Sequence, residues 1–267
     1  MNPLPRYGVT ASAPAPEAMG SDAFQEHLSA LYALSQRNNH VFGSPVGPLY
    51  HGGRHAYLPR FVFFGPHATD ESWRLAFYAN FDRRDLRAGH AVLHLVERLA
   101  ENSGDGYGLN LSFFPLVDAA GFFLGAPLRD LGRAHWSRSD LPEIRLLEKD
   151  ARLNGYHGFI QVESVDHDDV ITVRVREPAG VPLAPDVELI SSADIDPFPV
   201  RFERASRDIA PAEGPLTVAE DLPAPPFELT LCVPAAWPDD LYHGAIITIL
   251  NRFIIRYRAL QAYGQHL

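Results

Sequence analysis

The sequence predicts an α/β protein whose central sheet is buried and largely parallel. Short apolar segments rich in aromatic residues alternate with longer segments whose apolar residues recur at helical spacing. This alternation is typical of parallel sheets covered by helices on both faces. The 267 residues contain no internal repeat and no convincing linker, so we expect one large domain.

The elements can be assigned in chain order from these patterns. A first helix is predicted over residues 21–37, where Ser21 or Asp22 can cap an amphipathic run. The same periodicity predicts further helices over residues 87–101, 141–153 and 239–260. Strands are predicted over residues 61–65, 75–81, 109–115, 158–163, 170–176 and 227–233.

Two segments are expected to lack long regular elements. Residues 1–20 are rich in proline and alanine and are predicted to be a flexible N-terminal segment. Residues 177–226 are Pro-rich and acidic and are predicted to form loops with short strands. Neither segment has the basic start and apolar core of a signal peptide, and no apolar run is long enough to span a bilayer. A soluble, cytoplasmic protein is therefore expected.

Composition excludes several classes of function. The formal net charge of −10 argues against nucleic acid or an anionic membrane surface as a partner. A single cysteine, Cys232, excludes a disulfide framework and a Cys-rich zinc knuckle. The 12 histidines are the one compositional hint of metal chemistry.

Ligands of such sheets bind at the carboxyl ends of the strands, in the loops that follow them. Here those positions come after Phe81, Pro115, Glu163 and Val233. Distinctive segments lie at or near these ends. They are residues 74–89 (RLAFYANFDRRDLRAG), 114–122 (FPLVDAAGF), 129–133 (RDLGR), 141–148 (LPEIRLLE), 156–163 (YHGFIQVE) and 227–234 (FELTLCVP).

In this unbroken order, the segments resemble the zinc carboxypeptidase superfamily, and most closely its succinylglutamate desuccinylase/aspartoacylase branch. In that family the first segment carries Gly-x-His-Gly-x-Glu, the second YPxxNPxGF and the third DLNR. Two later strands bear the third zinc ligand, a histidine, and the catalytic glutamate. The resemblance implies a three-layer αβα sandwich with a central mixed, mostly parallel sheet, over residues 21–267.

The same resemblance implies that the family's metal site is substituted. Asp82 and Asp85 stand where the family has its first two zinc ligands, histidine and glutamate. Glu163 stands at the third ligand position, and Cys232 at the position of the catalytic glutamate. The asparagine of DLNR is Gly132, while Arg133, which corresponds to the family's carboxylate-binding arginine, and the neighbouring Asp130 are retained.

Three carboxylates without an imidazole favour magnesium, calcium or manganese over zinc. The alternative interpretation is that Asp82 and Asp85 form ion pairs in a solvated loop with Arg83, Arg84 and Arg87. Glu163 would then lie near Arg133 or water. We favour ion pairing and expect no cofactor; if one is bound, a hard divalent cation is expected.

Arg133 and Asp130 are the predicted ligand-binding residues. A guanidinium binds a carboxylate through two hydrogen bonds, which suits a peptide C-terminus or an N-acyl amino acid. The alternative role of Arg133 is a structural ion pair with Asp130 or Glu163. Cys232 would need a basic partner to act as a nucleophile, and His135 or His243 could approach it, but inert packing is favoured.

The histidines also form local patterns. His90, His94 and Glu97 share one helix face, a spacing that can bind zinc, but they lie opposite the apolar positions, so a solvated face is favoured. His51 and His55 flank a Gly-Gly-Arg turn, and residues 166–169 (DHDD) form an acidic loop. Either could contact a metal, although neither spacing requires one.

Taken together, the substitutions predict a homologue that has lost its zinc site and hydrolytic activity but binds a carboxylate-bearing ligand. Two alternatives remain open. One is an active metal-dependent hydrolase that uses Asp82, Asp85 and Glu163. The other is an interaction scaffold that uses residues 177–226. The sequence predicts neither the ligand's identity nor the oligomeric state.

Overall fold

A computed structural model describes residues 18–129, 131, 139–166, 169–176, 198–204 and 226–264. The helices are α1 (Ala18–Ser35), α2 (Arg87–Glu101), α3 (Ala119–Leu124), α4 (Pro142–Asn154) and α5 (Asp239–Gly264). The strands are β1 (Val41–Gly43), β2 (Val46–His51), β3 (Arg54–Leu58), β4 (Phe61–Phe64), β5 (Trp73–Tyr78), β6 (Leu109–Phe114), β7 (Gly158–Val165), β8 (Ile171–Arg176), β9 (Val200–Arg204) and β10 (Phe227–Pro234).

Eight of these strands form one mixed sheet in the order β1-β4-β6-β5-β7-β10-β8-β9. The four central strands, β6, β5, β7 and β10, are parallel to one another. Strands β1, β4 and β8 introduce antiparallel pairing towards the two edges, and β9 pairs in parallel with β8. The predicted mixed, mostly parallel sheet is therefore confirmed.

Helices cover both faces of this sheet. On one face Tyr257 of α5 stacks on Phe227 at 5.2 Å between ring centroids and also contacts Trp73. On the opposite face the Tyr156 hydroxyl donates to Asp150 of α4 at 2.7 Å, above the stacked rings of Tyr78 and Phe159. These contacts form because alternate residues of a strand point to opposite faces. The molecule therefore has the predicted three layers.

Most predicted elements match the observed ones within a few residues. Helix α2 coincides with the predicted residues 87–101, and α1 begins three residues before the predicted start. Strand β9 is a short strand within the Pro-rich region, as expected, while most of residues 177–226 and all of residues 1–17 lie outside the described part. Among the described residues, no helix combines the length and the hydrophobicity that crossing a bilayer requires.

The sequence patterns did not predict β1, the β2–β3 hairpin or α3. Strand β1 has three residues, too few to show alternation, and β2 contains a glycine and a proline that obscure its pattern. The turn between His51 and His55 is present, with Gly52 and Gly53 at φ of 56° and 75°. Glycine adopts this left-handed conformation at little cost, which closes the hairpin.

Candidate functional site

Asn80 organises the sheet edge at which β5 ends. It adopts a left-handed conformation, with φ of 55°, which asparagine tolerates better than most residues. Its side chain accepts a hydrogen bond from the Gly89 amide at 3.0 Å and donates to the Leu86 carbonyl at 3.3 Å. Its own carbonyl accepts from the Asp118 amide at 3.0 Å. Asn80 therefore connects the loop after β5 to the first turn of α2 and to the segment before α3.

Asp82, at the first predicted ligand position, lies in a local ion pair. The Nε of Arg84 donates to its two carboxylate oxygens at 3.0 and 2.9 Å, and the backbone amide of Arg84 donates to Oδ1 at 2.9 Å. The side chain of Arg84 is 64% exposed and that of Asp82 is 42% exposed. The hydrogen bonds from Arg84 lower the pKa of Asp82.

Asp85, at the second predicted ligand position, has hydrogen bonds to both carboxylate oxygens. Arg87 donates through Nε to Oδ1 at 3.0 Å and through Nη2 to Oδ2 at 2.8 Å, and the Ser164 hydroxyl donates to Oδ2 at 2.6 Å. Burial acts to raise the pKa of Asp85, but the hydrogen bonds from Arg87 and Ser164 outweigh it and hold the pKa below its usual value. The Asp85 carboxylate is therefore ionised, and the guanidinium of Arg87 compensates its charge.

Arg87 also connects the loop after β5 to α5 and to the segment before it. Its Nη1 and Nη2 donate to the carbonyls of Trp237 and Ala235, and its guanidinium lies 4.5 Å from the centroid of the Tyr242 ring. The Tyr242 hydroxyl is 2.6 Å from the Ser164 hydroxyl, which closes a network around Asp85. We call Asp85, Arg87, Ser164 and Tyr242 the Asp85 network.

Sequence reasoning considered Arg87 as a partner of Asp85 but missed Ser164 and Tyr242. Ser164 directly follows Glu163 in β7, near the end of a strand that the prediction stopped two residues too early. The position of Ser164 after a predicted strand end was therefore a usable signal. Tyr242 gave no such signal, because an aromatic residue in an amphipathic helix is usually a packing residue.

Glu163 and Cys232 are cross-strand neighbours of the parallel strands β7 and β10, and Thr172 of β8 pairs with Cys232 on the other side. The residues that correspond to the family's third zinc ligand and catalytic glutamate are thus adjacent in the sheet. Gln161 donates from Nε2 to Oε1 of Glu163 on the same strand face. Because adjacent strand residues point to opposite faces, Glu163 is directed away from the face on which Ser164 contacts Asp85.

Cys232 is fully buried. Its cationic neighbour is Arg174, whose pKa is raised by Cys232 and, to a smaller extent, by Glu203 and Glu163. His243, which the sequence left as a possible partner of Cys232, instead packs near His90 and His94 between α2 and α5. A thiol without solvent access is an unfavourable nucleophile, so the packing interpretation of Cys232 remains the better one.

Asp118 is a further acidic side chain at this edge, where it caps α3 by accepting from the Gly121 amide at 3.1 Å. It is fully buried, and the nearest guanidinium nitrogen, Nη1 of Arg83, is 3.7 Å from its Oδ2. Burial raises the pKa of Asp118 to about 6, against the opposing effect of Arg83. Sequence reasoning did not single out this residue, although it lies in the FPLVDAAGF segment.

Arg133 and Asp130, the predicted ligand-binding residues, lie outside the described residues, as do Gly132 and His135. Two described residues next to them are held in place. Arg129 forms an ion pair with Glu143 of α4, whose side chain is fully buried, and Leu131 is also fully buried. Arg129 therefore lies beside the N-terminus of α4.

The expectation of a solvated face for His90, His94 and Glu97 is wrong for His90 and Glu97. His90 and Glu97 are half-buried, because α1 and α5 pack against this face of α2, and His94 is 49% exposed. His51 and His55 are exposed on the β2–β3 hairpin. In the acidic loop, Asp166 is exposed, and residues 167 and 168 lie outside the described part.

The donor set at the sheet edge does not fit a zinc ion held by two imidazoles and a carboxylate. Asp82, Asp85 and Glu163 are all carboxylates, and in the described part of the chain they do not form a group of three ligand atoms within 4.8 Å of one another. Asp85 already accepts hydrogen bonds on both oxygens. A metal at this position would have to displace Arg87.

Comparison with known proteins addresses the fold. No protein-family model and no curated protein matches the chain. Among solved structures, the metallo-carboxypeptidase from Burkholderia cenocepacia aligns with a TM-score of 0.62 and 14% identity over 88% of this chain and 69% of its own. Bovine thrombin-activatable fibrinolysis inhibitor, in complex with tick carboxypeptidase inhibitor, aligns with a TM-score of 0.61 and 11% identity over 88% and 97%.

A third structure is the metallo-carboxypeptidase from Pseudomonas aeruginosa in complex with (2-guanidinoethylmercapto)succinic acid. It aligns with a TM-score of 0.60 and 15% identity over 89% of this chain and 68% of its own. The TM-scores show a shared fold, and at these low identities the alignments show nothing about the chemistry at the strand ends. The chain has the metallo-carboxypeptidase fold.

Proposed function

We propose that this protein is a non-hydrolytic homologue of zinc carboxypeptidases that binds a carboxylate-bearing ligand at the sheet edge. The ligand class is a peptide C-terminus or an N-acyl amino acid. Arg133 binds its carboxylate, and the neighbouring Asp130 is the second ligand-binding residue. The observation that carries the proposal is the Asp85 network, because it occupies the second zinc-ligand position with a neutralised ion pair.

The loss of hydrolysis follows from the chemistry that the fold's peptidases require. A catalytic zinc needs protein ligands that leave one position open for a water, and a base that removes the water's proton. Here Asp82 and Asp85 are paired with arginines, and a buried Cys232 stands at the position of the base. Cysteine at this position supplies no carboxylate for proton transfer.

The carboxylate ligand is supported by the retained arginine and by one structural neighbour. Arg133 corresponds to the family's carboxylate-binding arginine, and a guanidinium recognises a carboxylate through two parallel hydrogen bonds. The Pseudomonas aeruginosa neighbour was solved with a derivative of succinic acid, a dicarboxylate. That ligand supports a search among small carboxylates.

Binding is tested by thermal-shift and calorimetric screening of N-acyl amino acids and short peptides, each paired with its C-terminal amide. We expect the carboxylate forms to bind and the amides to fail, because the amide lacks the charge that Arg133 recognises. Arg133→Ala should abolish binding. Arg145→Ala is the matched control, since Arg145 is exposed on α4 and pairs only with the exposed Asp140 in the described residues.

An unchanged affinity in Arg133→Ala would exclude the role of this arginine. Hydrolysis is tested separately, by mass-spectrometric detection of products with added Zn²⁺, Mg²⁺, Ca²⁺ or Mn²⁺. Turnover that disappears in Asp82→Ala or Asp85→Ala would refute the non-hydrolytic proposal. It would favour a metal-dependent hydrolase that uses Asp82, Asp85 and Glu163.

A further inference from the structure

Four histidines from three helices meet where α1 and α5 pack against α2. His27 comes from α1, His90 and His94 come from α2, and His243 comes from α5; we call these four residues the histidine cluster. The ring centroids of His27 and His94 are 4.5 Å apart, and those of His90 and His243 are 6.2 Å apart. Positions 90 and 94 share a face of α2 because they are one helical turn apart.

Glu97, one further turn along α2, lies between two of these imidazoles. Its Oε1 is 3.1 Å from Nε2 of His27, and its Oε2 is 2.9 Å from Nδ1 of His94. Among the described residues, these three side chains are the group of potential metal ligands whose donor atoms lie within 4.8 Å of one another. In a tetrahedral zinc site with metal–nitrogen bonds of about 2.0 Å, neighbouring ligand atoms are about 3.3 Å apart. The donor atoms are therefore close to the spacing that such an ion needs.

The three side chains differ in how far they are exposed to solvent. His27 is 11% exposed, whereas His94 and Glu97 are exposed enough, at 49% and 34%, for an ion to enter from solvent. The site is therefore anchored by a buried side chain and accessible from outside.

The contact between His27 and His90 explains how the first ligand is oriented. Their Nδ1 atoms are 3.2 Å apart, so one of them donates a proton to the other. Nε2 of His27 is buried and lies 3.1 Å from Oε1 of Glu97. When Nδ1–H of His27 donates to His90, the lone pair of Nε2 faces a carboxylate. A cation between these two acceptors removes their repulsion, and metal-bound histidines usually donate their second N–H in this way.

We propose that His27, His94 and Glu97 bind a divalent transition-metal ion of the zinc class, with His90 as a positioning residue for His27. Two imidazoles and one carboxylate suit zinc, cobalt or nickel better than magnesium or calcium. The site connects α1 to α2 and is independent of the ligand proposed at the sheet edge. Either proposal can therefore fail without the other.

The test is titration of metal-free protein, without a polyhistidine tag, with Co²⁺ and Zn²⁺ alone. We expect one equivalent of Co²⁺ to give the visible absorption of a four-coordinate ion, Zn²⁺ to displace it, and Zn²⁺ to raise the melting temperature. His94→Gln and Glu97→Gln should abolish the signal. His90→Gln should weaken binding by about 10- to 100-fold, as for other residues that orient a metal-bound histidine.

The controls are His55→Gln on the β2–β3 hairpin and Glu101→Gln at the exposed end of α2, and both should bind as the parent protein does. His94 is exposed, so His94→Gln should fold, which circular dichroism verifies. Absence of Co²⁺ binding by the folded parent protein would overturn the proposal. Binding that persists in His94→Gln and Glu97→Gln, or that is lost in Asp85→Asn instead, would also overturn it.

Discussion

Three aspartates at the sheet edge differ in how their charges are compensated. Asp82 pairs with its exposed neighbour Arg84, and Asp85 receives hydrogen bonds from Arg87 and Ser164. Asp118 is fully buried, with one hydrogen bond from the Gly121 amide and a guanidinium at 3.7 Å. Its Oδ2 makes no hydrogen bond with the described residues. Burial therefore dominates at Asp118 alone, and its charge is destabilising.

This difference predicts that Asp118→Asn stabilises the protein at neutral pH. The pKa of about 6 in the folded protein exceeds the unfolded value of 3.8, so the unfolded state releases its proton first. Stability should thus fall as pH rises from about 4 to about 6 and stay lowered above that range. About two pKa units correspond to up to about 3 kcal/mol.

Asparagine retains an oxygen that can accept from the Gly121 amide, so the N-cap of α3 should survive. Urea unfolding of both proteins at pH 8 and pH 4 measures the effect. The variant should be more stable at pH 8 and nearly equal to the parent at pH 4. Equal stabilities at pH 8 would contradict a raised pKa for Asp118.

At the scale of elements, the junction between β5 and α2 depends on close approach of the backbone. A Cβ added at Gly89 would lie 2.0 Å from Nδ2 of Asn80 and 2.3 Å from the Pro115 carbonyl oxygen. Only glycine fits where the first turn of α2 packs against Asn80 and the end of β6. Sequence patterns predicted the bounds of α2 well, since the periodicity of its own residues determines them, but not this contact.

Gly89→Ala is therefore expected to destabilise the fold by about 1–3 kcal/mol, the usual cost of overpacking a buried site. Gly104→Ala is the matched control, because nothing lies within 4 Å of a Cβ added there. Guanidinium unfolding of both variants gives the comparison. A Gly89→Ala protein as stable as Gly104→Ala would show that the junction has room for a methyl group.

At the scale of the whole molecule, Arg87 joins parts of the chain that are far apart in sequence. It contacts Asp85 after β5, the carbonyls of Ala235 and Trp237 after β10, and the Tyr242 ring of α5. Ser164 of β7 completes the network. The loops that form this end of the sheet are therefore held together by one partly buried cation.

Arg87→Gln should lower the free energy of unfolding by about 2–3 kcal/mol, because it leaves a partly buried Asp85 without its cation. Arg84→Gln removes an exposed pair and should cost less than about 1 kcal/mol. Urea unfolding at neutral pH distinguishes the two. Equal effects would mean that the Asp85 network contributes no more than a surface ion pair.

The sequence by itself determined the class of the fold, the bounds of most helices and central strands, and which strand ends lie at the same edge of the sheet. Local periodicity carries this information, because the spacing of apolar residues reflects burial within each element. Only the tertiary structure decided which side chains contact the polar residues at the strand ends and on the helix faces. Ser164 and Tyr242 close on Asp85, and His27 of α1 meets His90 across 63 residues of chain. The polar residues of a helix face have the same spacing whether water or another helix covers that face. The sequence therefore could not predict the histidine cluster, which forms because α1 and α5 pack on α2.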